Sequence, residues 1–232
     1  MQTPILLTSL ALTALIGVAS TGNSQEHAEV ITDPAADALA SRVEHSFQLN
    51  GGLELFGLTA PYETEALGTI DLVDPTGDEV ALAHIEAVDT LRELAAEAGQ
   101  VDVLSLPEPI TIRGTDAIEV AAGLMGIETS RIAGDCAVEI APRRSGRRAT
   151  FQVVADLANP AGHLESARLD LRGTFSLSDD PHTSYRIEAE GSLDELVASD
   201  EAKEQRISAF DHQISVSMRG VRPEDESGVL AR

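Results

Sequence analysis

A chain of 232 residues that is 43% hydrophobic but only 3% aromatic, with no Trp, is long enough for one sizeable core, built here from Val, Ile, Leu and Ala. A net charge of −23, from 39 acidic against 16 basic residues, excludes nucleic acid as a partner and argues against an anionic membrane surface. Cys136 is the only cysteine, so no intramolecular disulfide can form.

Taken in chain order, the apolar, uncharged run from Pro4 to Ala19 is shorter than the roughly 20 residues a membrane span needs. It has the length of a signal-peptide core, with small residues at Gly17, Ala19 and Ser20, and predicts a leader over 1–20 and export to the periplasm or medium. Residues 21–38 are polar and read as a tether, and 223–232 as a disordered acidic tail. Between them, 39–222 alternate. Val43, His45, Phe47 and Leu49 share one face, Asn50-Gly51 predicts a hairpin turn, and Leu53 and Leu55 return. Ile70 and Leu72 follow, then a turn at Pro75-Thr76-Gly77 and a partner strand begun by Val80 and Leu82. Thr90 to Glu93 is a capping-box pattern, predicting a short helix ended by Gly99. Period two returns at Ile110 and Ile112, and again in runs at 132–140, 151–157, 169–177, 185–189 and 214–218. Thr115 to Gly126 fits a helix and a strand equally well. Many short half-apolar strands predict a mainly β fold, a closed or nearly closed antiparallel barrel with one or two short helices.

Reactive chemistry is sparse. The six His residues show no pair at metal-ligand spacing, and no nucleophile elbow, phosphate loop or dinucleotide fingerprint occurs. No catalytic residue, metal or cofactor is predicted. His84 reads as a hydrogen-bonded wall residue and Cys136 as a small buried hydrophobe. Arg143, Arg144, Arg147 and Arg148 form a basic cluster in an acidic chain, a candidate clamp for an anion.

The order of these pieces resembles the YceI-like family. Ser41-Arg42-Val43-Glu44 opens the pattern, and Gly68-Thr69-Ile70-Asp71-Leu72 with Asp74-Pro75 continues it. Val80 to Ile85, Asp89-Thr90, Arg92-Glu93, Asp102-Val103 and Pro107 before Ile110-Thr111-Ile112 supply the rest, with a looser match to 222. The resemblance implies a lipocalin-like barrel, exported and non-catalytic, that carries a polyisoprenoid or similar amphiphile. The cavity wall it implies comprises Phe47, Leu49, Leu53, Leu55, Ile70, Leu72, Val80, Leu82, Ile110 and Ile112. A solid core lined by the same residues is the competing expectation, and a homodimer is left open. The family's usual His-Leu and aromatics near Asp102-Val103 are absent here, where Leu104 and Leu106 stand.

A second parse takes Ala87 to Ile140 as helix, strand, helix and strand. It resembles the short N-terminal modules of secretins and TonB-dependent receptors, which bind protein partners. A helix over Thr115 to Gly126 would favour that parse and a hairpin there the barrel. A third class, a hydrolase, has no nominated nucleophile or base.

Overall fold

The computed structural model describes residues 40–100, 108–143 and 146–222. The predicted leader, tether and acidic tail lie outside the described residues, as does Arg144.

All eight strands are antiparallel neighbours in one sheet. They are β1 (Arg42–Leu55), β2 (Leu58–Asp71), β3 (Ile110–Arg113), β4 (Ile132–Pro142), β5 (Arg148–Ala161), β6 (Leu164–Leu177), β7 (Thr183–Ala198) and β8 (Ile207–Val221). The order is β2-β1-β8-β7-β6-β5-β4-β3, so β2 and β3 are edges and hydrogen bonds do not close the sheet. Alternation fixes which face is buried: Ala149, Phe151, Val153, Ala155 and Leu157 on β5, and Leu169, Leu171 and Phe175 on β6, all turn inward. The outer face carries polar partners, among them Arg168 on Asp156 at 2.6 Å and Arg219 on Glu44 at 2.6 Å.

Two helices cover the inner face, α1 (Glu79–Gln100) and α2 (Thr115–Met125); a third, α3 (Asp200–Gln205), links β7 to β8. The stretch predicted to hold a strand at Val80 and Leu82 is therefore the first turn of α1. Asp78 caps it, its Oδ1 accepting from the amides of Val80 and Ala81 at 3.1 Å each. The buried set Ala81, His84, Ala87, Val88, Leu91, Ala95 and Ala98 has helical spacing, which four alternating residues at its start could not reveal. The second correction concerns Asn50-Gly51. This pair lies inside β1, and the β1–β2 turn falls at Phe56 and Gly57, which take φ 53° and 81°. Gly51 and Gly52 serve close packing instead: a Cβ there would lie 2.5 Å from the His212 ring and 2.2 Å from the Phe210 ring.

The ambiguous stretch is α2, ended by Gly126 at φ 65°. Helix, strand, helix and strand of the second parse are thus all present, yet β3 and β4 are continuous with the eight-stranded sheet rather than a separate module. A buried polar chain docks the helices. His84 on α1 approaches the Gly123 carbonyl on α2 at 2.9 Å through Nδ1, and the Tyr185 hydroxyl on β7 at 2.7 Å through Nε2. A carbonyl only accepts, so Nδ1 carries the proton and Nε2 accepts from the hydroxyl. His84 is fully buried and Tyr185 nearly so. Burial holds the His84 pKa down at about 4 and pushes the Tyr185 phenol up. Sealed from solvent, this pair ties α1 to α2 and to β7. Cys136 is likewise buried, its thiol 3.4 Å from the Ala117 carbonyl and its pKa pushed up to about 11 by burial.

Candidate ligand-binding site

The inner faces of β1 and β2 meet in register: Val43 with Ile70, His45 with Gly68, Phe47 with Ala66, Leu49 with Thr64, and Gly51 with Tyr62. Val43, Leu49 and Ile70 are buried in the core. Between Phe47 and Ala66 on one side and the ends of α2 and β5 on the other lies a cavity of about 430 Å³. Phe47, Ala66, Val80, Met125, Ile127 and Leu157 give it apolar walls; His45, Glu128, Arg131 and Asn159 add polar groups to the lining. Local structure places two of these polar groups. The left-handed turn at Gly126 releases the chain from α2 into a tight turn at Thr129–Arg131, from which Arg131 Nη1 donates to the Asn159 carbonyl at 3.2 Å. His45 packs against Gly68, where a Cβ would lie 2.2 Å from its ring. Its Nδ1 is buried with no partner, and among the described residues no other buried side-chain nitrogen or oxygen is so placed. Desolvation lowers the His45 pKa, which keeps the ring neutral at pH 7.

Of the predicted wall residues, Phe47 and Val80 line this cavity. Leu49 and Ile70 belong to the core behind it, and Leu72 and Ile112 pack half-buried against that core. Leu53 is half-buried further along β1. Leu55, Leu82 and Ile110 are 40%, 49% and 41% exposed and form no wall, because the β1 tip, the outer side of α1 and the β3 edge carry them outward. The described arginines of the predicted clamp do not line the cavity. Arg147 pairs with Asp179 at 2.7 Å, and Arg148 stands opposite Ser176 in the sheet.

A second cluster escaped the sequence. His163, in the β5–β6 turn, and His212, on β8, bring their Nε2 atoms to 2.9 Å. Tyr62 from β2 lies edge-on to His163 at 4.5 Å between ring centroids and stacks on His212 at 5.7 Å. In a flat sheet β2 and β5, five steps apart in the strand order, would be separated by roughly 24 Å at about 4.8 Å per step. The ring contact therefore measures how far the sheet curls at this end.

Comparison with protein-family models, with curated proteins and with solved structures finds no match. The site is read from its own chemistry. Among the described residues, no group of three or more His, Cys, Asp or Glu side chains is placed to hold a metal ion.

Proposed function

We propose that the protein is a non-catalytic carrier of an amphiphilic lipid, a polyisoprenoid or a similar chain, bound in the cavity between β1–β2 and the ends of α2 and β5. The observation that carries this assignment is one cavity whose lining joins apolar side chains with a few polar groups. About 430 Å³ falls within the range of small-molecule pockets, roughly 300–1,000 Å³. Each methylene buried against Phe47, Met125 and Leu157 would contribute about 0.8 kcal/mol. Glu128, Arg131 and Asn159 in the same lining could meet a ligand's polar head. The container is then a strongly curled sheet whose wall is completed by the helix pair, close to the lipocalin-like barrel that the YceI-like motif order implies. Export through the N-terminal apolar run suits a carrier of envelope lipids.

The purified native protein should yield a stoichiometric prenyl or acyl compound on solvent extraction, read by mass spectrometry. The neutral dye 1-N-phenylnaphthylamine should also bind the stripped protein and light up. Ala66→Trp should fill the cavity and weaken the dye by roughly tenfold or more, since about 1.4 kcal/mol of lost contact suffices. Ala66 is exposed, so melting should be unchanged. Neither lipid nor dye binding would remove the carrier assignment. The rival, an envelope module that binds protein partners, is favoured by one observation, the α2 helix over Thr115–Met125; an empty extract and an inert dye would leave it in place.

A further inference from the structure

Tyr62, His163 and His212 stand where the two walls of the cavity meet again. Along β1–β2 the inward pairs run from Phe47 and Ala66, in the cavity, through Leu49 and Thr64 to Gly51 and Tyr62. Along β5 the cavity wall at Leu157 to Pro160 leads into the turn bearing His163. Cavity and cluster are therefore held between the same two stretches of chain. The β2 arm is held along its length by its ladder to β1, but from Leu58 to Leu67 every residue is exposed except Tyr62.

We propose that the Tyr62–His163–His212 cluster is a proton-released clasp, which holds the two walls of the cavity together near neutral pH and lets them part in acid. This rests on the carrier assignment for its consequence, not for its mechanism. His212 Nδ1 lies 3.1 Å from the Phe210 carbonyl, so it bears a proton and neutral His212 offers a lone pair at Nε2. His163 must then donate Nε2–H across the 2.9 Å gap. The ring centroids are 5.0 Å apart, so the two rings point nearly straight at each other, as in a hydrogen bond, rather than angling toward a shared ion. One added proton still leaves a donor facing an acceptor. Two added protons set N–H against N–H, and the contact cannot persist.

The surroundings do little to offset that repulsion. β2 contributes the Tyr62 ring, β1 contributes Gly51, whose missing side chain admits the His212 ring, and β7 contributes Leu193 opposite His212. Ser199, before α3, bonds the Gly162 and His163 carbonyls. Burial lowers both His pKa values, and His212 lowers that of His163 further, while the Phe210 carbonyl and then Asp211, beside His212 on β8, favour the charged His212 ring without offsetting burial. Release therefore falls on the acid side of 6.5.

The test uses the full chain with spin labels at Glu63→Cys and Gly162→Cys, both exposed, in the presence of chelator. Between pH 7.5 and pH 5 the label separation should lengthen while far-UV circular dichroism stays constant. His163→Gln should hold the separation short throughout, because an amide can face His212 as donor or acceptor. His163→Lys, a donor at either pH, should leave the separation short at pH 7.5 and open in acid once His212 alone takes up a proton. Dye affinity should follow, falling roughly tenfold if the closed state drops to about a tenth of the population. A separation that ignores pH, or one that responds only when a transition metal is added, would overturn the clasp. A separation that opens in acid while the dye fails to bind at any pH would overturn the carrier assignment and leave the clasp standing.

Discussion

Replacing His84 by alanine is expected to lower the unfolding free energy by about 3–5 kcal/mol, measured by urea denaturation at pH 7. The loss has three sources. A cavity opens in the fully buried layer between α1, α2 and the sheet. The Tyr185 hydroxyl loses its acceptor at 2.7 Å, and the Gly123 carbonyl loses its donor at 2.9 Å. Tyr185→Phe alone should cost less, about 1–3 kcal/mol, since only the His84 Nε2 lone pair is stranded. The pair His84→Leu with Tyr185→Phe should cost less than the sum of the single changes, because neither leaves the other's polar group unmade. Additive losses would mean that the two side chains do not bond. Acid supplies an independent check. The folded His84 pKa is held at about 4, against 6.5 when exposed. Between those values the unfolded chain binds the proton and the folded chain refuses it, so stability is full above pH 6.5 and falls as pH drops. At about 1.4 kcal/mol per pH unit, His84 alone removes roughly 3 kcal/mol by pH 4. His45, His163 and His212 have lowered pKa values too and slope the same way. The steeper dependence of the natural protein over the His84→Leu, Tyr185→Phe pair is what isolates His84.

That polar chain also marks where the sequence is readable. The inward series Phe151, Val153, Ala155, Leu157 announces β5 because each residue meets the same apolar layer, and burial at period two leaves its trace in residue type. Val80 and Leu82 carry no such weight. Four alternating residues satisfy both periods, and only the longer series from Ala81 to Ala98 separates them. Asn50-Gly51 misleads for a different reason. Its glycine answers to the His212 ring more than 160 residues away in the chain, and not to the backbone angles of a turn. The same holds for the candidate site. Phe47 could be placed on an inward face of β1, but its cavity partners Met125, Ile127 and Leu157 come from other elements. His84 and Tyr185 are 101 residues apart, and His163 and His212 are 49 apart. No local period reports such meetings, which arise from strand order and the curl of the sheet.

Gly123→Ala should prove nearly as damaging as the loss of His84, at about 3 kcal/mol, and should also weaken the cavity's hold on its dye. Gly123 faces α1 at the closest point of the helix crossing. A Cβ there would lie 2.1 Å from the Ala83 carbonyl oxygen, 2.6 Å from its carbon and 2.9 Å from the Ala87 methyl. Two of those atoms are backbone, so no side-chain rotation relieves the clash and the helices must separate. Separation stretches the His84 bond to the Gly123 carbonyl, which adds the polar loss to the steric one. It also shifts Met125, Gly126 and Ile127, which begin two residues after Gly123 and form part of the cavity wall. The variant should therefore lower both the denaturation midpoint and dye affinity, whereas Ala66→Trp lowers affinity alone. An unchanged midpoint would show that α1 and α2 do not cross at Gly123. A lowered midpoint with undiminished dye binding would show that the cavity wall does not depend on the position of α2.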